Sequence, residues 1–143
     1  MATVLIAEDD LVMADMVELA LAKAGYTVCG IARTVAEAVI LANERTPDLA
    51  VIDMRLANGG LGTEIAAAGA LNGVGILYAT GNASTVVMAG AAGQACLTKP
   101  YTFPDLLRSL ELVEGMKKSG SAWPPFPRGF RILPGAIGLD GHP

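Results

Sequence analysis

Five short apolar runs, separated by stretches with helical patterning, constrain the fold of this chain more than any other feature. They are Thr3–Ala7, Tyr26–Ile31, Leu49–Asp53, Val74–Ala79 and Gln94–Thr98. Runs this short and this apolar read as strands buried on both faces, the habit of a parallel sheet with helices on each side. The stretches between them carry helix signals. Asp10 caps a first helix whose apolar face is Met13, Met16, Val17, Ala20, Leu21 and Ala24, closed by Gly25. Thr34 and Glu37 form a capping box for a second helix carrying Val35, Ala38, Val39, Leu41 and Ala42 before Pro47. An Ala-rich third helix runs from about Gly62 to Ala70. A fourth, weakened by glycines, runs from Ser84 to about Ala92. The last is capped by Thr102 with Asp105 three residues on. Leu106, Leu107, Leu110 and Val113 line its inner face, and Lys117 and Lys118 complement its C-terminal dipole. The alternation is (βα)5, which predicts an α/β fold: a doubly wound parallel sheet with right-handed crossovers.

Composition narrows the class. With 143 residues, 52% of them hydrophobic and 17% charged, the chain reads as one globular domain with a substantial core. A net charge of −4 argues against a nucleic-acid surface. No charge falls between Ile65 and Thr98, but Asn72-Gly73, Gly81-Asn82 and Gln94 interrupt that stretch. It therefore reads as buried α/β core rather than a membrane span. The N-terminus lacks a secretory pattern, and Cys29 and Cys96 have no metal-like spacing. Both observations predict a cytoplasmic protein with buried free thiols.

Parallel strands bring their carboxyl ends to one edge, where ligands of open α/β sheets bind. The residues closing these strands are Glu8 and Asp9, Asp53, Thr80 and Lys99. Three gathered carboxylates resist ionisation unless a cation is near. Oxygen donors of this kind suit Mg²⁺, which takes one or two carboxylates together with phosphoryl oxygens. A hydroxyl and an ammonium opposite them suit the oxygens of a phosphoryl group.

Residues 1 to about 118 resemble the receiver domain of bacterial two-component response regulators. The resemblance is carried by Val4-Leu5-Ile6-Ala7-Glu8-Asp9-Asp10, Val51-Ile52-Asp53-Met54-Arg55-Leu56, Tyr78-Ala79-Thr80-Gly81 and Leu97-Thr98-Lys99-Pro100. It implies a flavodoxin-like sheet in the order 2-1-3-4-5. It also implies that Asp53 accepts a phosphoryl group from a sensor histidine kinase or a histidine phosphotransfer protein, without true enzymatic turnover. By the same resemblance Glu8, Asp9, Asp53 and the Arg55 backbone carbonyl share Mg²⁺. Lys99 pairs with the phosphoryl oxygens, Thr80 shifts to hydrogen-bond them, and Gly81 leaves the approach open. A cis Lys99–Pro100 peptide is also implied.

The chain departs from the family in three places. Receivers usually carry Tyr or Phe three residues before the lysine, a ring that turns inward on phosphorylation; here that position is Cys96. The segment between Thr80 and Lys99 is short, and Ala89-Gly90-Ala91-Ala92-Gly93 has weak helix propensity. From Ser119 on, the chain is rich in Pro and Gly and too short for a DNA-binding output domain. Residues 119–143 are either a flexible remnant or an apolar arm that docks on the domain or on a partner subunit. A homodimer through this tail, or through the fourth and fifth helices, follows from the second reading. His142, the only histidine, lies beside the last residue and is not read as catalytic.

Other function classes remain to be weighed against a stand-alone phospho-receiver that signals through protein contacts, with no nucleic-acid or membrane partner. One is a receiver-like interaction module or phosphate sink with vestigial switching, motivated by Cys96. Another is a Mg²⁺-dependent phosphohydrolase, but such enzymes usually place a second Asp two residues after the nucleophile, where this chain has Arg55. Nucleotide binding through Gly59-Gly60-Leu61-Gly62 is disfavoured by the nearby Asp53.

Overall fold

The structure is a computed structural model and describes residues 2–82 and 91–136. The helix expected from Ser84 to about Ala92, apart from its last two residues, and His142 lie outside the described residues. Strands β1 (Thr3–Ala7), β2 (Thr27–Ala32), β3 (Leu49–Asp53), β4 (Gly75–Thr80), β5 (Ala95–Thr98) and β6 (Phe130–Ile132) form one sheet in the order β2-β1-β3-β4-β5-β6. The first five are parallel, in the expected 2-1-3-4-5 order. The sixth was not expected: it pairs antiparallel with β5.

Helices α1 (Leu11–Lys23), α2 (Val35–Arg45), α3 (Thr63–Ala67) and α4 (Phe103–Ser119) complete the described elements, with two single 3₁₀ turns. Their starts follow the sequence closely. The Asp10 carboxylate accepts from the N–H groups of Val12 and Met13, Thr34 from Glu37, and Thr102 from Asp105. Helix α3 ends at Ala67, short of the expected Ala70, and Gly69 lies beyond it at φ 77°. Met16, expected on the inner face of α1, is 47% exposed; Ala14, Val17 and Leu21 are the residues buried there.

Each strand feeds two cores because side chains alternate across a sheet. Val4, Ile6, Leu49, Val51, Leu77, Ala95 and Leu97 pack against Val17 and Leu21 of α1 and Leu106, Leu110 and Val113 of α4. Their neighbours Leu5, Ala7, Ala50, Ile52, Ile76, Tyr78 and Cys96 pack against Ala38 and Ala42 of α2 and Ile65 of α3. Apolar runs with no polar alternation are what this two-sided burial requires.

The segment after α4 returns across the domain. The Arg108 side chain of α4 donates to the carbonyls of Trp123 (2.7 Å) and Pro125 (3.1 Å), and Phe126 stacks on Phe130 at 5.9 Å. Strand β6 then lies along β5, with Ala95 opposite Ile132 and Leu97 opposite Phe130. Just past it, Leu133 is fully buried in the core layer that holds Tyr78 and Cys96. Leu133 therefore completes that layer beside β5. Leu133→Ala should lower the free energy of unfolding by about 2–5 kcal/mol, the range for truncating a buried leucine. Denaturant titration checks this, and a loss below about 1 kcal/mol would mean that the tail packs too loosely to matter.

Candidate functional site

The carboxyl ends of β1, β3, β4 and β5 converge on a cavity of about 370 Å³ lined by Asp9, Asp53, Met54, Arg55, Thr80, Gly81, Asn82 and Lys99. Of the sequence-predicted site residues, Asp9, Asp53, Arg55, Thr80 and Lys99 line it, and the buried Glu8 lies against Lys99 and the other two acids. Carboxylate oxygens of Glu8, Asp9 and Asp53 lie within 4.8 Å of one another. The Lys99 ammonium sits 3.0 Å from Asp53 Oδ2 and 3.6 Å from Glu8 Oε1. The other Asp53 oxygen, Oδ1, accepts from the Arg55 N–H at 3.3 Å.

Local structure fixes each group. Asp53 is the last residue of β3, and its strand mates are wholly buried, so the carboxylate leaves the sheet at a set point. The backbone behind it rests on Gly62. A Cβ at Gly62 would overlap the Asp53 carbonyl and the Ile52 side chain, and the Gly62 N–H donates to the Met54 carbonyl at 2.8 Å. Gly62, weighed in the sequence as part of a phosphate loop, is instead the close contact that lets the β3–α3 connection fold back under Asp53. Arg55 forms a bridge with Leu61 in that same turn.

The electrostatics follow from burial and proximity. Glu8 is almost inaccessible, and burial together with the neighbouring Asp53 raises its pKa from 4.5 to about 7. Burial alone would lower the pKa of Lys99, but Asp53 and Glu8 outweigh it and hold the ammonium above the ordinary lysine value. Three carboxylates facing one ammonium leave an excess of negative charge, and all the donors are hard oxygens. The donor set fits a divalent cation of the Mg²⁺ type.

The opposite wall carries the hydroxyl. Thr80 ends β4 almost completely buried; its Oγ1 donates to the Asn82 carbonyl and accepts from the Asn82 N–H, both at 3.1 Å. Among the described residues, a side chain at Gly81 would meet nothing within 4 Å. Cys96 is fully buried in the core layer that holds Tyr78 and Leu133, with its thiol pKa raised by burial. Tyr101, past the cis Lys99–Pro100 peptide, is part of the surround of the acids. Burial, Glu8 and Asp53 together raise its hydroxyl to about 12.

The parallel α/β sheet thus carries three acids, a hydroxyl and a lysine at its strand ends, a set of groups suited to a divalent cation and to phosphoryl oxygens. The sequence model of the response regulator receiver domain matches residues 4–111, and the chain belongs to that family. Among solved structures it is similar to a CheY-like receiver domain from Methanospirillum hungatei, with 25% identity, a TM-score of 0.74, and coverage of 85% of this chain and 99% of that one. It is also similar to the signal receiver domain of a diguanylate cyclase from Desulfovibrio desulfuricans (29%, TM-score 0.70, 85% and 99%). A third likeness is to the non-phosphorylated HemR receiver domain from Leptospira biflexa (26%, TM-score 0.67, 88% and 100%). No curated protein matches. Among the described residues, no helix is long and apolar enough to cross a membrane.

Proposed function

We propose that this chain is a cytoplasmic phospho-receiver in which Asp53 takes a phosphoryl group from a phosphohistidine of a sensor kinase or phosphotransfer protein. The observation that carries this reading is the pairing of Lys99 with Asp53 at 3.0 Å inside an acid cluster at the strand ends of a receiver fold. An Asp53 carboxylate oxygen attacks phosphorus, the histidine N–P bond breaks, and the released imidazole regains a proton. Lys99 balances the charge gathering on the phosphoryl oxygens, and Thr80 turns from Asn82 to donate to one of them. Glu8, Asp9, Asp53 and the Arg55 carbonyl would hold Mg²⁺, which when bound neutralises charge between carboxylate and phosphoryl oxygens. Incubation with Mg²⁺ and acetyl phosphate should add one phosphoryl group by intact mass, and chelation should prevent it. No gain, or a gain indifferent to chelation, overturns the proposal.

A helical donor has a landing surface beside the cavity. Leu11, Val12, Met16 and Leu19 of α1 are 52%, 70%, 47% and 57% exposed, and the helix begins just after Asp9 and Asp10. An apolar stripe of this kind fits a partner helix. Val12→Glu should slow transfer from a phosphohistidine protein roughly tenfold while leaving transfer from acetyl phosphate unchanged, as expected for a single interface anchor. Equal slowing of both donors would place Val12 in the chemistry instead.

Vestigial switching is a second reading, favoured by the complete burial of Cys96 where the family's inward-turning ring stands. Unchanged oligomeric state and partner affinity after phosphorylation would support it.

A further inference from the structure

Lys99 is the first residue beyond β5, so its reach to Asp53 depends on how the end of that strand is held. In a parallel strand, successive N–H groups point to opposite neighbours. Here the Lys99 N–H donates inward to the Thr80 carbonyl of β4 at 2.7 Å. The preceding N–H, of Thr98, donates outward to the Gly129 carbonyl at 3.0 Å, and the Thr98 hydroxyl donates to the same oxygen at 3.3 Å. Strand β6 covers the outer side of β5 from Ala95 to Leu97, and the Gly129 carbonyl extends that hold to Thr98, the residue next to Lys99. Gly129 lies at φ 83°, a conformation that side chains rarely adopt, and a Cβ there would come within 3.2 Å of Thr98 Cβ. Glycine is thus required for the tail to bring its carbonyl to this point. Arg108 holds the tail before it, and buried Leu133 holds it after.

We propose that Gly129 is a positioning residue for the phosphoryl site: its carbonyl clamps Thr98 from the outer side and so sets the Lys99 ammonium against Asp53. The tail is then part of the site's geometry although none of its described residues lines the cavity. This inference rests on the reading of Asp53 as the phosphoacceptor.

The test uses the full chain with three substitutions. Gly129→Ala displaces the carbonyl, Thr98→Val removes the hydroxyl contact, and Val28→Ala on β2 weakens the far edge of the sheet. Two quantities are read: the acetyl phosphate reaction in Mg²⁺, split into saturated rate and half-saturating concentration, and the nitrogen NMR signal of the Lys99 ammonium without phosphodonor. Gly129→Ala should lower the saturated rate about tenfold, since small misplacements of a positioned group are costly. It should also move the Lys99 signal toward that of solvated lysines, with Thr98→Val shifting both in the same direction by less. Val28→Ala should lower the melting temperature and change neither. A folded Gly129→Ala variant with parental rate and parental Lys99 signal overturns the proposal. If Gly129→Ala does not fold, parental behaviour of Thr98→Val overturns it. Should the parent itself take up no phosphoryl group, the phosphoacceptor reading fails. The Lys99 signal alone then decides the positioning role.

Discussion

Asp53→Asn should abolish phosphoryl uptake from acetyl phosphate and leave the fold intact. The amide oxygen is a poor nucleophile, and no other carboxylate of the cluster matches Asp53 in placement. Glu8 is buried and tends to hold a proton, whereas Asp53 faces Lys99 with one oxygen and the Arg55 N–H with the other. The amide keeps the size of the side chain, so the β3 end and its support on Gly62 remain in place. Intact mass before and after incubation, with circular dichroism as the control on folding, checks the expectation. A phosphoryl group retained on the variant would move the acceptor to another residue.

Glu8→Gln should have opposite effects on stability and on cation binding. In the unfolded chain Glu8 ionises around 4.5, while in the folded chain burial and Asp53 keep it protonated to about 7. The folded state therefore binds more protons across that window. Stability conferred by the protonated group is fully present below pH 4.5 and is lost as the pH rises to 7, after which the loss levels off. Glutamine removes the titration. In chelator at pH 8 the variant should be more stable than the parent by on the order of 1–3 kcal/mol, the worth of a shift of this size in a mostly buried group. At pH 4 the two should nearly coincide. Added Mg²⁺ should raise the melting temperature of the parent much more than that of the variant, because a carboxylate has been lost from the donor set. Parallel pH profiles for the two proteins would show that Glu8 does not carry the strain of the acid cluster.

Much of this was legible in the sequence, and the reasons are local. Buried parallel strands write themselves as unbroken apolar runs, and side-chain caps such as Asp10, Thr34 and Thr102 mark where helices begin. The site was legible because parallel strands must bring their ends together; Glu8, Asp53, Thr80 and Lys99 are each the residue at, or one beyond, a strand end. The misses share a different cause. Phe130-Arg131-Ile132 does alternate, but a strand of three residues, within the four between Gly129 and Pro134, gives no period to detect, and pairing with β5 is a tertiary fact. Gly62 and Gly129 both stand in glycine-rich stretches where composition reads as loop. Their requirement comes from the backbone and side-chain atoms they face across the fold. Met16 lies outside the buried face because α1 is apolar on more than one side, a property that shows only once its neighbours are placed.

The added strand also bears on how the protein behaves when crowded. A sheet left with long unpaired edges invites growth by strand addition from other molecules. Here the edge formed by β6 is only three residues long and carries the exposed Arg131 at its centre. At the other edge, Leu5 pairs with Gly30 where Val4 pairs with Val28, so Cys29 is an extra residue that bends β2 out of register. Both margins are poor templates for another strand. High local concentration should therefore leave the sheet unextended, and encounters between molecules fall to the helical faces.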